Sequence, residues 1–149
     1  MHLHVTCALI EREGRVLCTR RSAEMSLPLK WEFPGGKIME GEAPEECLRR
    51  ELLEELGLEI EVGRALPLVT HRYPDFAITL YPFLCRVGPS AEITLNEHDR
   101  AAWVLPGDLG NIDWAEADVG VVRNFLDHAA HPAELEVKSG VTLPAVHET

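Results

Sequence analysis

Three glutamates of one predicted helix carry the strongest chemical signal in the sequence. Placed on a helix at about 100° per residue, Glu51, Glu54 and Glu55 fall within one arc of about 100°. Glu46 has Arg50 four residues on and should form a surface pair with it, whereas Glu51 and Glu55 have no basic partner along the helix. Clustered carboxylate oxygens are the ligands that Mg²⁺ or Mn²⁺ prefers. The alternative is a solvated charged face, in which like charges four residues apart cost about 0.2–0.5 kcal/mol per pair.

The surroundings of this arc favour a metal site over a solvated face. A leucine stripe at Leu48, Leu52 and Leu56 borders the arc, so the carboxylates lie at the edge of the buried side. A Gly-Gly turn with Lys37 precedes the helix and can bring backbone groups and one cation close to a phosphate. The segment therefore predicts a site for a divalent metal and a phosphorylated ligand.

The elements that position these residues follow from periodicity and from turn signals. Pro44 at the start and Gly57 after the last turn bracket the acidic helix, 44–56. The other predicted elements are strands at 2–10 and 15–19 joined by a Glu13-Gly14 turn, a short strand at 31–33, strands at 59–71, 76–87 and 100–105, and a helix at 117–130 that His131-Pro132 stops. This order predicts an α/β (α+β) fold, a mixed sheet with helices packed on it.

Composition limits the partners and the compartment. The 149 residues are enough for one domain with a real core, and a net charge of −11 argues against a nucleic-acid polymer or an anionic membrane as partner. A small phosphorylated substrate stays compatible, because a bound metal reverses the local charge. Four cysteines without a C-x-x-C pair, no leader and no membrane-length apolar run predict a cytoplasmic protein.

The acidic segment matches a known motif at every fixed position. Its fixed residues are Gly36, then Glu42 after five residues, Arg50-Glu51-Leu52 after seven more, Glu54-Glu55 after one, and Gly57-Leu58 after one. This is a complete Nudix box, and the chain resembles the Nudix hydrolases, in particular their MutT-like nucleoside triphosphate pyrophosphohydrolases. The likeness runs from about residue 3 to residue 127. It implies a Nudix domain at 1–131, an α/β/α sandwich around a mixed sheet. It does not cover the tail at 132–149, which has no clear period and which we expect to be either disordered or an added strand, with 141–146 as the candidate.

The resemblance also implies an activity and its cofactor. Water would attack the β-phosphorus of a ribo- or deoxyribonucleoside triphosphate, giving a nucleoside monophosphate and pyrophosphate, as in nucleotide-pool sanitation. Mg²⁺, with Mn²⁺ possible, would be held by Glu51, Glu54, Glu55 and the carbonyl of Gly36. Because divalent cations bridge phosphate oxygens and neutralise their charge, this cofactor suits the chemistry.

The remaining site residues come from the same resemblance. Arg50 would pair with a carboxylate of the motif and orient it, while Glu42 and Gly57 would be structural. Arg21 and Lys37 would hold the phosphates. Glu97, six residues before Trp103, would be a further metal ligand or the base that activates water, with Glu51 as the rival for the base.

Candidates for the base pocket are Phe33, Leu27, Tyr73 or Asp75, and Asp118. An ionised Asp118 accepts from the exocyclic amine of cytosine, whereas a protonated one can read oxidised guanine. An ordinary helix-terminus carboxylate is the alternative for Asp118.

Two other functions stay open. A Nudix hydrolase of another diphosphate, such as ADP-ribose, carries the same motif, and some Nudix-like domains only bind. The intact glutamates count against a purely binding domain. We expect a monomer or a homodimer, and we interpret His2 and His4 as one face of an edge strand rather than as a metal pair.

Overall fold

The computed structural model describes residues 1–130, and the predicted tail at 132–149 and the His131-Pro132 stop lie outside this range. The strands are β1 (His2–Arg12), β2 (Arg15–Arg20), β3 (Trp31–Glu32), β4 (Gly35–Lys37), β5 (Glu61–Ala65), β6 (Val69–Arg72), β7 (Ala77–Arg86) and β8 (Arg100–Val104). The helices are α1 (Pro44–Leu56) and α2 (Glu116–Ala130), with a 3-10 helix at Pro106–Asn111 before α2.

One mixed sheet contains all eight strands. Its main path runs β3-β2-β1-β7-β5, while β4 pairs with β1, β6 with β7 and β8 with β2. The pairing of β1 with β7 is parallel, and each of the other pairings is antiparallel. Glu13 and Gly14 join β1 to β2 with φ values of 51° and 80°, which is the positive-φ pair that a tight two-residue hairpin requires.

The two helices cover opposite faces of this sheet. Along β1, Cys7 and Leu9 join the cluster that packs on α2, while Ala8 and Ile10 join the one that packs on α1. Strands buried on both faces carry nearly continuous apolar runs, as β1 and β7 do. The leucine stripe of α1 is fully buried in its cluster. The predicted α/β/α sandwich with a mixed sheet is confirmed.

The structure corrects two predicted elements. The single strand at 59–71 is wrong, because Val62 to Ala65 contains a register shift and Pro67, which has no N–H to donate, separates β5 from β6. The Gly-Gly turn is also wrong. Gly35 and Gly36 lie in β4 and pair with β1, where a Cβ on Gly35 would lie 1.9 Å from the carbonyl oxygen of Thr6.

The ends of α1 are formed by the predicted residues, with one difference. Pro44 opens the helix, and Gly57 ends it in the left-handed conformation with φ 65°. Glu46, however, accepts a hydrogen bond from the backbone N–H of Ala43 at 3.0 Å. It therefore closes the helix N-terminus, and the predicted surface pair of Glu46 with Arg50 does not form, because Arg50 contacts Glu42 instead.

Candidate active site

A cleft of about 250 Å³ lies where β1, β3 and β4 meet the N-terminus of α2. At one end, beside the other glutamates of α1, the lining includes Glu55 and two glycines, and at the other end it is mainly apolar. From the predicted site, the lining includes Arg21, Leu27, Phe33, Gly36, Lys37, Glu55, Tyr73 and Asp118. The fold therefore brings together residues from five separate segments of the chain.

Glu51 and Gly36 are in direct contact at the carboxylate end. A Cβ built on Gly36 would lie 2.2 Å from Cδ and 2.4 Å from Oε1 of Glu51. Real Cβ atoms essentially never approach other atoms so closely. Glycine at position 36 is therefore what lets the Glu51 carboxylate lie against β4. The carbonyl of Gly36, a predicted metal ligand, also accepts from the hydroxyl of Thr6 at 3.2 Å.

Arg50 connects the loop before α1 to the glutamates of the helix. Its guanidinium donates to both carboxylate oxygens of Glu42, at 2.8 and 3.0 Å. It also lies 3.2 Å from Glu51 and 3.6 Å from Glu54. The hydrogen bonds from Arg50, with a smaller contribution from the N–H of Met39, lower the pKa of Glu42 to about 2. Arg50 thus orients Glu51 from the solvent side while Gly36 leaves room on the other.

Glu55 is the buried carboxyl group of this set. Burial, then a hydrogen bond with Glu97 and the charges of Glu51, Glu32 and Glu97, raises the pKa of Glu55 to about 9. Its Oε1 is buried without a hydrogen bond within the described residues. Burial also raises the pKa of Glu51. Glu54 and Glu97 are exposed, so the cluster extends from the cleft interior to the solvent.

The donor set fits a hard divalent cation. Four side chains, those of Glu51, Glu54, Glu55 and Glu97, offer only carboxylate oxygens, and one of these oxygens is buried without a partner. A cation would displace the proton of Glu55, since metal ligands bind deprotonated. Within residues 1–130, no three His, Cys, Asp or Glu side chains are placed so that they could hold a metal ion as they stand. The side chains therefore need to adjust to bind one.

The two predicted phosphate-binding cations have different surroundings. Three N–H groups of Arg21 are already used, by the carbonyl of Ser26, by the hydroxyl of Ser26 at 2.9 Å and by Glu32 at 2.9 Å. Arg21 therefore organises the loop that follows β2. Lys37 is exposed at the cleft, and its ammonium group has no hydrogen bond or ion pair in the part of the chain described. Lys37 is the cation that a phosphate can reach without breaking other contacts.

At the apolar end, Asp118 is buried with 5% of its surface exposed. Its Oδ2 accepts from the backbone N–H of Phe33 at 2.9 Å. Burial, followed by the charge of Glu32, holds the pKa of Asp118 well above its usual range. Phe33 itself is 3% exposed and packs on Trp114 with ring centroids 4.6 Å apart. Its ring is therefore mainly part of the core.

An aromatic pair forms another wall of the apolar end. Tyr73 and Phe76 stack with centroids 4.9 Å apart, and the hydroxyl of Tyr73 accepts from the N–H of Ala117 at 3.2 Å. The predicted alternative, Asp75, is exposed in the bend between these two residues and does not line the cleft. The short turn directs the aromatic residues on either side of it to the cleft.

Sequence reasoning missed three residues of this region. Phe76 forms part of the wall just described, and its signal was the spacing of two aromatic residues around a tight turn. Glu32 lines the cleft and accepts from Arg21 and from His98, the latter at 2.8 Å. A carboxylate between two aromatic residues of a predicted strand was the available signal for Glu32. Nothing local marked His98, which is buried in the loop that follows Glu97.

None of the helices within residues 1–130 has the length and apolar character of a membrane span.

Comparison with known proteins places the chain in a family. Residues 1–125 match the model of the NUDIX domain. The chain is 32% identical over 145 residues to the CTP pyrophosphohydrolase of Escherichia coli K12, which covers 89% of this chain and 98% of that protein. It is 39% identical over 83 residues to the 8-oxo-dGTP diphosphatase of Proteus vulgaris, covering 55% of this chain and 74% of that one.

The fold agrees with solved structures. The solution structure of the E. coli ORF135 protein superposes with a TM-score of 0.76 at 32% identity, over 89% of this chain and 94% of that one. The family match, the shared fold and the clustered glutamates agree with each other. The chain belongs to the NUDIX family and is a pyrophosphohydrolase that acts on phosphorus anhydrides.

Proposed function

We propose that the protein is a Mg²⁺-dependent nucleoside triphosphate pyrophosphohydrolase that releases a nucleoside monophosphate and pyrophosphate. The observation that carries the proposal is one cleft with two different ends. Glu55 and Gly36 line the end beside the other glutamates, and Asp118 and the aromatic pair line the apolar end. A nucleotide has the same division, a polyanionic chain joined to a flat base.

At the carboxylate end, Glu51, Glu54, Glu55, Glu97 and the carbonyl of Gly36 would hold the metal. When bound, the divalent cation neutralises phosphate charge and polarises the phosphorus that water attacks. Lys37 adds a positive charge at the cleft. Arg50 keeps Glu51 and Glu42 in place, a positioning role of the kind that commonly tunes metal ligands.

Glu97 is the better candidate for the base that accepts a proton from water. It is exposed at the cluster and makes its hydrogen bond with Glu55. Glu51 instead has one oxygen bonded to Arg50 and its carboxylate packed against Gly36. A general base has to lie within hydrogen-bond distance of the water that attacks the phosphorus. The exposed Glu97 meets this condition more easily than Glu51 does.

At the nucleoside end, Asp118 would read the base edge. One carboxyl oxygen is used by Phe33, and the other has no hydrogen bond within residues 1–130. An ionised Asp118 accepts through that oxygen from the exocyclic amine of cytosine. We therefore assign cytosine nucleotides first. Support comes from the CTP pyrophosphohydrolase relative, which aligns over nearly its whole length.

A specific observation supports oxidised guanine nucleotides as the second candidate. Burial holds the pKa of Asp118 well above its usual range, which disfavours the ionised form and favours the protonated one. A protonated carboxyl instead donates to an acceptor such as O6 of guanine. The relative from Proteus vulgaris is named 8-oxo-dGTP diphosphatase.

The test is a substrate panel of CTP, dCTP, 5-methyl-dCTP, 8-oxo-dGTP and ADP-ribose with Mg²⁺, with each product identified by chromatography. We expect monophosphate and pyrophosphate, with the highest kcat/KM for CTP or dCTP. A preference for 8-oxo-dGTP selects the second candidate, and a preference for ADP-ribose overturns the triphosphate assignment. Hydrolysis of none of them indicates a domain that only binds.

A further inference from the structure

Glu97 lies in a loop, and the residues on either side of Glu97 attach this loop to the rest of the fold. On one side, the side chain of Asn96 donates to the carbonyl of Glu54 at 2.8 Å, and its N–H donates to the carbonyl of Glu55 at 3.2 Å. These carbonyls belong to the last turn of α1, where backbone acceptors lack helical partners. The loop is therefore attached to the helix that carries the metal-binding glutamates.

On the other side, His98 turns inward. Its side chain is fully buried, and its Nε2 donates to Oε2 of Glu32 at 2.8 Å. Its other ring nitrogen, Nδ1, is buried and has no hydrogen bond in the described residues. Buried polar atoms are rarely left without a partner. Among the described residues, the bond to Glu32 is therefore the one hydrogen bond that holds the ring in this buried position.

Glu32 connects this histidine to the cleft. It lies on β3 and lines the cleft, and its second oxygen accepts from Arg21 at 2.9 Å. Arg21 in turn holds Ser26, which also lines the cleft. One carboxylate thus joins the Glu97 loop to the loop that follows β2.

We propose that His98 is a positioning residue that holds Glu97 at the metal cluster through its buried hydrogen bond to Glu32. Asn96 and His98 flank Glu97 and attach the loop to α1 and to β3, while Asp99 attaches its far end to Arg20 of β2. Removing the bond of His98 removes the attachment next to Glu97, whose exposed side chain can then move away from the cluster. The proposal rests on the role assigned to Glu97 in the proposed function.

A double-mutant cycle tests this on the whole protein. The set comprises wild type, His98→Leu, Glu97→Gln and the double variant, with His128→Leu on α2 as a matched histidine control. Two quantities are measured, the affinity of the substrate-free protein for Mn²⁺ by electron paramagnetic resonance, and kcat and KM for the best nucleotide of the panel. Circular dichroism establishes that each variant is folded.

We expect His98→Leu to lower Mn²⁺ affinity and kcat by about 10- to 100-fold, the usual effect of losing a residue that orients a metal ligand. KM should change less than threefold, and His128→Leu should match wild type. In the Glu97→Gln background, His98→Leu should have no further effect. An equal loss in both backgrounds overturns the proposal, since His98 would then act independently of Glu97.

Two conservative variants decide the matter if His98→Leu does not fold. The side-chain amide of glutamine reaches the place of Nε2, and that of asparagine reaches the place of Nδ1. His98→Gln should keep Mn²⁺ affinity near wild type and His98→Asn should lose it, whereas the reverse order contradicts the proposal. Because Mn²⁺ binding needs no substrate, this arm stands even if no nucleotide of the panel is hydrolysed, an outcome that overturns only the proposed function.

Discussion

Replacing Gly36 with alanine separates the geometry of the site from the stability of the fold. The new Cβ would lie 2.2 Å from Cδ of Glu51, whereas ordinary van der Waals contact begins at 3.4 Å. The Glu51 carboxylate must therefore move by about 1.2 Å, the difference between these distances. The group that moves is the end of a flexible side chain, so the backbone can stay in place.

The magnitude follows from the precision that such sites need. A misplacement of about 1 Å costs about 100-fold in rate, so Gly36→Ala should lower kcat by about that factor and weaken Mn²⁺ binding as well. Its free energy of unfolding should change little. Alanine restricts the unfolded chain and so stabilises the fold by up to about 1 kcal/mol, which offsets the cost of moving the Glu51 side chain. Thermal unfolding and steady-state kinetics on the same preparation measure both effects.

Gly35→Ala is the matched control. Its Cβ would lie 1.9 Å from the carbonyl oxygen of Thr6, which is backbone of the neighbouring strand β1. A strand cannot shift as a side chain can, so this variant should lose stability. If Gly36→Ala keeps wild-type kcat, or if both variants unfold alike, the close approach of Gly36 and Glu51 is not what the site depends on.

Three further predictions follow from single groups. Glu54→Gln should abolish turnover without changing the melting temperature, because Glu54 is exposed and loses only a charge; wild-type-like turnover would remove it from the metal site. The raised pKa of Glu55, about 9, means that the native state without metal keeps a proton that the unfolded state loses above about pH 4.3. The free energy of unfolding should therefore fall between about pH 5 and pH 9, by up to about 1.4 kcal/mol per pH unit. In urea unfolding without metal, this decrease with pH should be smaller for Glu55→Gln than for wild type. Asp118→Asn should shift kcat/KM from cytosine toward guanine nucleotides, and an unchanged ratio would exclude Asp118 from base recognition.

The local part of the site was predictable because it depends on one helix. The spacing of Glu51, Glu54 and Glu55 beside a leucine stripe sets their common side whatever the rest of the fold does. The same local rule failed for Arg50, which pairs with Glu42 rather than with Glu46. The loop before α1 returns Glu42 to the helix surface, and a rule for isolated helices does not include that loop.

The apolar end of the cleft was less predictable because its contacts are distant in sequence. Asp118 bonds to the backbone of Phe33 across 85 positions, and His98 reaches Glu32 across 66. No periodicity encodes such pairs. The break between β5 and β6 was readable in principle, since Pro67 removes a ladder hydrogen bond, but the apolar run on both sides of it outweighed that signal.

Hydrolysis of CTP with Mg²⁺ in ¹⁸O-labelled water, followed by ³¹P nuclear magnetic resonance of the products, tests the central claim most directly. The proposed function predicts CMP without label and pyrophosphate that carries the ¹⁸O, since water attacks the β-phosphorus. Formation of CDP and inorganic phosphate, or of labelled CMP with unlabelled pyrophosphate, would contradict it.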